Sequence, residues 1–427
     1  MRRSRPFLAT LTSALLVALM GCGGGAASVR VAPATPGTAG NPTASSARAG
    51  DPEASSAGTA APGSRASTCP IPGASGPEPA PADLLHPSGT WFGMAIDWSS
   101  DSVATVSARL GAGHTPAAWV NFVTFPIPQA DRANLDAFYA QVRSVGGVAV
   151  LTLQPNGGLD SVTPAAAMDL ARLLAGYRAC GISTIVRFAH EMNGSWYPWG
   201  QDPVAYVAAF RTVAAAVHRA APGNAMLWAP NSGDGYPFTG GQYGAGPGTS
   251  AFTALDTDHD GRLTGSDDPY APYWPGDPAV DWVGMSLYHW GNSYPWGAND
   301  VPPARQFADL LTGRQGVSGG SYPDFYATWA QGHHKPLAIV ETAAFWRPDA
   351  GGASELAVKQ AWWRQVFSAA TVQRFPLIGL IGWFEWRKME TEVHAVVDWR
   401  LTAEPRLVEQ FLDDLPDGRL RFAPAGS

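Results

Sequence analysis

Charge is scarce in this sequence. Asp, Glu, Lys and Arg make up 15% of its 427 residues, and the formal net charge is −7. Without an excess of Lys and Arg there is no electrostatic footprint for a phosphate backbone, which argues against a nucleic-acid partner. Low charge beside 45% apolar residues and 17 Trp also argues against a disordered chain. The apolar run 7–20 is too short for a stable membrane span. Cysteine is limited to Cys22, Cys69 and Cys180. An oxidising compartment would permit a Cys69–Cys180 bond, but nothing in the sequence brings the two together.

The N-terminus carries an address. Arg2, Arg3 and Arg5 precede the apolar run, the pattern of an export signal. The run ends in Leu19-Met20-Gly21-Cys22, which resembles the lipobox of bacterial lipoproteins. That resemblance implies residues 1–22 as a signal, Cys22 as the lipidated residue, and a protein anchored at the cell envelope; plain secretion is the alternative. Residues 23–82 are Ala, Gly, Pro, Ser and Thr with little to bury, and read as a flexible tether.

The remainder, 83–427, alternates apolar runs with helical patterns. Strands are predicted at 92–98, 118–125, 148–154, 184–189, 225–230, 280–287, 337–341 and 378–383. Helices are predicted at 102–110, 133–145, 164–179, 203–220, 304–311, 354–368 and 404–415. Pro164, Pro203 and Pro303 sit near helix starts, where a missing N–H costs nothing. Gly111, Gly146 and Gly181 follow helix ends as left-handed caps. Eight strands separated by helices predict a (β/α)₈ TIM barrel. A doubly wound open sheet would need a glycine-rich turn after its first strand, and Asp97-Trp98-Ser99-Ser100 is not one.

The chemistry concentrates in two places. The fourth strand runs out into Arg187-Phe188-Ala189-His190-Glu191-Met192-Asn193-Gly194-Ser195-Trp196-Tyr197-Pro198-Trp199. A barrel puts its active site at such strand ends. Trp196 and Trp199 offer flat apolar faces to sugar rings, while His190, Asn193 and Glu191 offer partners to sugar hydroxyls. The bland alternative is an Arg187–Glu191 ion pair beside aromatic packing. The seventh strand, Leu337-Ala338-Ile339-Val340-Glu341, ends abruptly in an acid that is costly to bury without a partner or a task. Two carboxylates across one Trp-rimmed cleft form the glycosidase arrangement. Asp97 and Glu385 are further acids at strand ends, read as sugar-hydroxyl ligands or as partners of Arg387. His190 as the catalytic acid itself is a rival reading, disfavoured because no Ser or Cys nucleophile accompanies it.

With these segments in place, the body resembles glycoside hydrolase family 26, a largely β-mannanase family of retaining barrel glycosidases. The likeness covers about residues 81–415 and rests on separated segments: His190-Glu191-Met192-Asn193-Gly194-Ser195-Trp196, Trp228-Ala229-Pro230-Asn231, Tyr273-Trp274-Pro275-Gly276-Asp277, and Lys335 through Glu341. It implies Glu191 as acid/base and Glu341 as nucleophile. It further implies that Tyr288 hydrogen-bonds the nucleophile and that Trp383 floors the subsite before the scissile bond. Ser286 stands where many members have an acid, and Tyr288-His289-Trp290 is atypical; these departures bear on the sugar rather than the reaction. The activity implied is retaining hydrolysis of a β-linked polysaccharide, with β-1,4-mannan first and β-glucan, xylan or an extracellular polysaccharide next. A barrel that binds carbohydrate without cleaving it is the reading of another class. No cofactor is needed for the reaction, and a monomer is expected.

Between the fifth and sixth strands, residues 250–272 hold Asp256-Thr257-Asp258-His259-Asp260-Gly261-Arg262-Leu263-Thr264-Gly265-Ser266-Asp267. The spacing matches a calcium loop, with acids at positions one, three, five and twelve and glycine at six. Asp256, Asp258, Asp260 and Asp267 would bind Ca²⁺ through side chains, and Arg262 through its carbonyl. No clear helices flank the loop, so a structural site is expected rather than a sensor.

Overall fold

The computed structural model describes residues 68–72, 82–314, 321–416, 418 and 420–424. The export signal, Cys22 and most of the tether lie outside the described residues. The body is the (β/α)₈ barrel expected from the sequence. Its strands are β1 (Thr90–Ile96), β2 (Ala118–Thr124), β3 (Val148–Gln154), β4 (Thr184–Phe188), β5 (Ala225–Trp228), β6 (Trp282–Ser286), β7 (Leu337–Thr342) and β8 (Ile378–Glu385). All pair in parallel with their neighbours, and β1 closes the ring on β8 with Met94 opposite Trp383. Buried on both faces, these strands are near-continuous apolar runs rather than alternating ones, as in Val148–Gln154.

The helices α1 (Val103–Leu110), α2 (Arg132–Ser144), α3 (Pro164–Ala179) and α4 (Pro203–Ala220) fill the first crossovers. Their starts are written in the sequence. Thr163 and Asp202 accept from the N–H groups of Ala166 and Ala205, each ahead of a proline at the first helical position. The later crossovers depart from expectation. The short α5 (Ser250–Leu255) leads into the acidic loop. Pro303 stands outside α6 (Gln306–Leu311), whose N-cap Arg305 is left-handed at φ 75°. The segment expected as one helix at 354–368 is α7 (Glu355–Val366) followed by α8 (Ala369–Arg374), because Ser368 accepts from Thr371 N and starts a second helix. A hairpin of β9 (Arg387–Glu390) and β10 (Ala395–Asp398) follows β8, and α9 (Pro405–Asp414) completes the helical layer.

Cys69 and Cys180 do meet, in a disulfide with Cα atoms 4.9 Å apart. Ile71 beside it is buried, so residues 68–72, which composition assigns to the tether, pack on the body. No helix among the described residues is long and apolar enough to cross a membrane.

Candidate active site

Glu191 lies three residues beyond β4. To turn it into the barrel mouth the backbone takes left-handed angles at Ala189 (φ 47°) and Glu191 (φ 54°), a local cost that persists where surrounding structure holds it. That hold is visible: Glu191 N donates to Ala229 O beyond β5 at 3.0 Å. Gly194 is required because a Cβ there would run into the Trp196 indole. The indole Nε1 in turn donates to Glu191 Oε2 at 3.0 Å. Phe238, from the loop after β5, packs edge-on against Trp196 with centroids 5.2 Å apart.

Glu341 sits within β7, in register with Ser286 of β6, and is buried. Arg187 of β4 donates to its Oε1, and the Tyr288 hydroxyl donates to its Oε2 at 2.7 Å. The second guanidinium nitrogen of Arg187 donates to Ser286 Oγ at 2.7 Å. Arg187 therefore pairs across the barrel with Glu341; the ion pair with Glu191 considered from the sequence is not formed. A fully buried Arg demands an acidic partner, and its place in an otherwise apolar strand was a signal that it lines the site. Nothing in sequence spacing pointed to Phe238.

The two carboxylates differ in environment. Burial first, and then the nearby charge of Glu341, push Glu191 up to about 7, against the opposing pull of Arg187 and of hydrogen bonding by Ser286 and Trp196. Near neutrality Glu191 can thus hold a proton, while the negative charge of Glu341 is matched by a guanidinium and a phenol. His190 is buried and edge-on to Phe122 at 5.7 Å. Burial first, then Arg187, hold its pKa well below the ordinary value. It is a neutral imidazole with no proton to deliver as an acid at pH 7.

Several residues expected to touch substrate are placed otherwise. Both amide atoms of Asn193 are spent on Asn231, donating to its carbonyl at 2.9 Å and accepting from its N–H at 2.8 Å. Asn193 therefore clamps the exit of β4 to that of β5. Trp199 is fully buried, stacks on Tyr197 at 4.4 Å and donates to His190 O. Trp383 is also fully buried; it donates to Trp399 O and packs on Phe367 after α7. It belongs to the layer between barrel and helices. Its neighbour Phe384 faces the other way and packs edge-on against Tyr288 at 5.8 Å. Successive strand residues point to opposite faces, so a one-residue difference in phase decides which aromatic reaches the site. Asp97 accepts from Ser99, and Glu385 from Leu401 and Thr402, so neither acid is a spare nucleophile. Arg387 lies beside Asp398, not Glu385.

In the inserted loop the carboxylates of Asp256, Asp258 and Asp260 converge, with one oxygen from each within 4.8 Å of the others. His259 (φ 60°) and Gly261 (φ 82°) make the turn that brings them round. Asp267 is outside that trio; it closes the loop by accepting from the N–H groups of Thr257, Asp258 and Thr264. Arg262 N donates to Asp260 Oδ1.

A (β/α)₈ barrel with paired acids at the ends of its fourth and seventh strands has the arrangement used by glycosidases. No family model matches the chain. It is 23% identical over 289 residues to endoglucanase H of Acetivibrio thermocellus, covering 64% of this chain and 25% of that protein. The chain thus spans a quarter of the length of the curated relative it matches. Among solved structures, GH26C from Muricauda sp. MAR_2010_75 superimposes with a TM-score of 0.51 at 13% identity, over 80% of this chain and 89% of the other. The catalytic domain of the Bacillus sp. JAMB-750 GH26 endo-β-1,4-mannanase gives 0.48 at 18% identity, over 78% and 88%. The Muricauda likeness is one of fold.

Proposed function

We propose that the protein is a retaining endo-β-glycanase with β-1,4-mannan as its substrate. The observation carrying this reading is the unlike pair of buried carboxylates, Glu191 raised to about 7 and Glu341 charge-paired with Arg187 and Tyr288. Glu191 would protonate the glycosidic oxygen while Glu341 attacks the anomeric carbon; Glu191, now ionised, would then take a proton from water as it displaces Glu341. The anomeric carbon is inverted twice, so its configuration is retained. Trp196 holds the acid and offers its half-buried face to the sugar. β-Glucan is the second substrate reading, favoured by the likeness to a protein named an endoglucanase. A screen of reducing-end release from mannan, mixed-linkage β-glucan and xylan tests both, with NMR of the first-formed anomer testing retention. No release from any of the three would overturn the glycanase reading in favour of a binding protein.

Calcium at the acidic loop belongs to the same reading. Three converging carboxylates suit a hard cation that prefers oxygen ligands. The loop also adjoins the cleft through aromatic contacts: Asp267 and Asp268 face Tyr236, Tyr236 packs on Phe238 at 5.8 Å, and Phe238 packs on Trp196. For an extracellular site with Kd on the order of 10⁻⁴ M, millimolar calcium stabilises the fold by about 1.4 kcal/mol. Chelation is expected to lower Tm by a few degrees, and Asp258→Ala to remove the response. KM is expected to rise on chelation, because the contacts run from the loop to Trp196, whose face meets the sugar; kcat falls as well to the extent that Trp196 loosens its hold on Glu191. Identical melting curves with chelator and with calcium would leave the loop as acidic surface.

The address at the N-terminus makes this an exported, lipid-anchored enzyme, a reading that rests on sequence alone. Cys22→Ala is expected to move it from the membrane fraction to the soluble one; a variant that still sediments with membranes in high salt would remove the anchor from the account.

A further inference from the structure

Beyond the carboxylates, the chain between β6 and α6 carries an aromatic strip that starts in the site and runs out past the groups the reaction uses. It begins at Tyr288, the partner of Glu341, and continues to Trp290; both rings pack edge-on against the buried Trp399, at 5.3 and 4.9 Å. Trp296 follows, its ring close against Gly291, where an added Cβ would lie 3.4 Å from the indole. Tyr294 ends the strip, edge-on to Trp296 at 5.9 Å and 55% exposed. Tyr294 and Trp296 sit on the loop that leaves β6 beyond Tyr288, and the two rings together, rather than either alone, make an apolar surface on that loop.

The loop that holds these rings is firmly built. His289, buried beneath it, bonds Gln306 Oε1 at 2.8 Å and Asp300 O at 2.9 Å. Asn299 donates to the carbonyls of Arg347 and Ala350 and accepts from Arg347 N at 2.9 Å, stitching the loop to the segment after β7. Asn292 donates to Val301 O across the loop's neck. Exposed Tyr294 and half-buried Trp296 are therefore presented on a fixed frame, and little ordering is left for a ligand to impose. Beside them the Arg347–Asp349 pair lies at the backbone of Gly297, adding polar groups next to flat apolar faces. Flat faces flanked by hydrogen-bonding groups match a pyranose ring, whose axial C–H bonds give it an apolar face and whose hydroxyls need partners.

We propose that Tyr294 and Trp296 form an outlying subsite that takes a sugar unit of the same neutral β-linked chain whose scissile bond lies at Glu191 and Glu341. This rests on the glycanase reading and extends it. An enzyme with such a rim subsite holds a polymer well beyond the bond it cuts and discriminates by chain length, which is the behaviour of an endo-acting enzyme on long chains.

The test compares the intact protein with a Tyr294→Ala/Trp296→Ala double variant, whose folding is checked by Tm. The readout is the ratio of kcat/KM on soluble mannan or β-glucan to kcat/KM on a chromogenic disaccharide. The ratio is expected to fall roughly tenfold, the loss of two aromatic contacts of ordinary strength. A second arm needs no turnover: in gels containing the same polysaccharide, Glu341→Gln migrates slowly, and adding the double substitution restores free mobility. An unchanged ratio in an enzyme that cleaves the polymer, or unchanged retardation, overturns the rim subsite and leaves the glycanase reading intact. If the unaltered protein neither cleaves nor is retarded by any of the glycans, both readings fall together.

Discussion

Glu341→Ala is expected to abolish turnover and to lower stability, and a small anion is expected to restore part of both. The turnover loss is on the order of 10⁴-fold or more, as when a hydrolase loses its nucleophile. The stability loss has a separate cause. Arg187 is fully buried and its ionic partner is Glu341, so removing the carboxylate leaves a guanidinium held only by Ser286. Breaking a buried pair in this way costs about 3–5 kcal/mol, enough to move Tm by several degrees. Azide or formate fits both defects, since it carries the missing charge to Arg187 and, in the proposed mechanism, can attack the anomeric carbon in place of Glu341. With an activated aryl glycoside, rescue should give a product of inverted configuration. Glu341→Gln keeps the shape of the side chain and an acceptor oxygen for Arg187 but loses both the charge and the nucleophile, so it should be as inactive as Glu341→Ala while losing less stability. A Glu341→Ala protein with more than a few per cent of its activity would remove Glu341 from the mechanism. One with unchanged Tm would show that the Arg187 pair is not what holds this part of the barrel.

The barrel was legible in the sequence because its strands are apolar runs too short to be helices and are punctuated by capping residues. Thr163-Pro164 and Asp202-Pro203 mark helix starts to the residue. That Glu191 and Glu341 are buried where β4 and β7 run out was legible because an acid that closes an apolar strand is costly to bury unless it is paired or reactive. What escaped was orientation. Asn193, Trp199 and Trp383 are the residue types that bind sugars, yet each is turned into the structure. Asn193 is consumed by Asn231, 38 residues away, and Trp199 by the carbonyl of His190. Residue type says which chemistry is possible; only the long-range partner says whether a group is still available for it.

The same limit explains Arg187 and Ser286. From sequence alone the nearest acid to Arg187 is Glu191, four residues on. The barrel instead curves β4 towards β7, with β5 and β6 between them, so Arg187 reaches Glu341, 154 residues away. Ser286 then completes the arch by accepting from the same guanidinium, in register with Glu341 on the neighbouring strand. A serine there leaves the Arg187 charge undivided, whereas an acid would compete with Glu341 for it.

Glu191→Gln is expected to cost about 10²–10⁴ in kcat/KM on glycosides with poor leaving groups and far less on aryl glycosides that depart without a proton. The pH profile carries the sharper test. In the proposed mechanism Glu191 must be protonated in the free enzyme, and its pKa is raised to about 7, by burial first and by Glu341 second. kcat/KM should therefore hold below that value and fall tenfold per pH unit above it, and Glu191→Gln should lose this alkaline limb. Folding stability should respond in the same direction. The folded state keeps the Glu191 proton from the ordinary glutamate value of 4.5 up to about 7, where the unfolded chain has already released it. Across that window the folded state binds more protons than the unfolded one, so raising the pH lowers stability. The contribution is whole below the lower value and gone above the upper one. Glu191→Gln has no proton to lose and should be less sensitive to pH over the same range. If the limb near pH 7 persisted in Glu191→Gln, the proton would belong to another group, and the low pKa of the buried His190 would leave that imidazole a poor candidate.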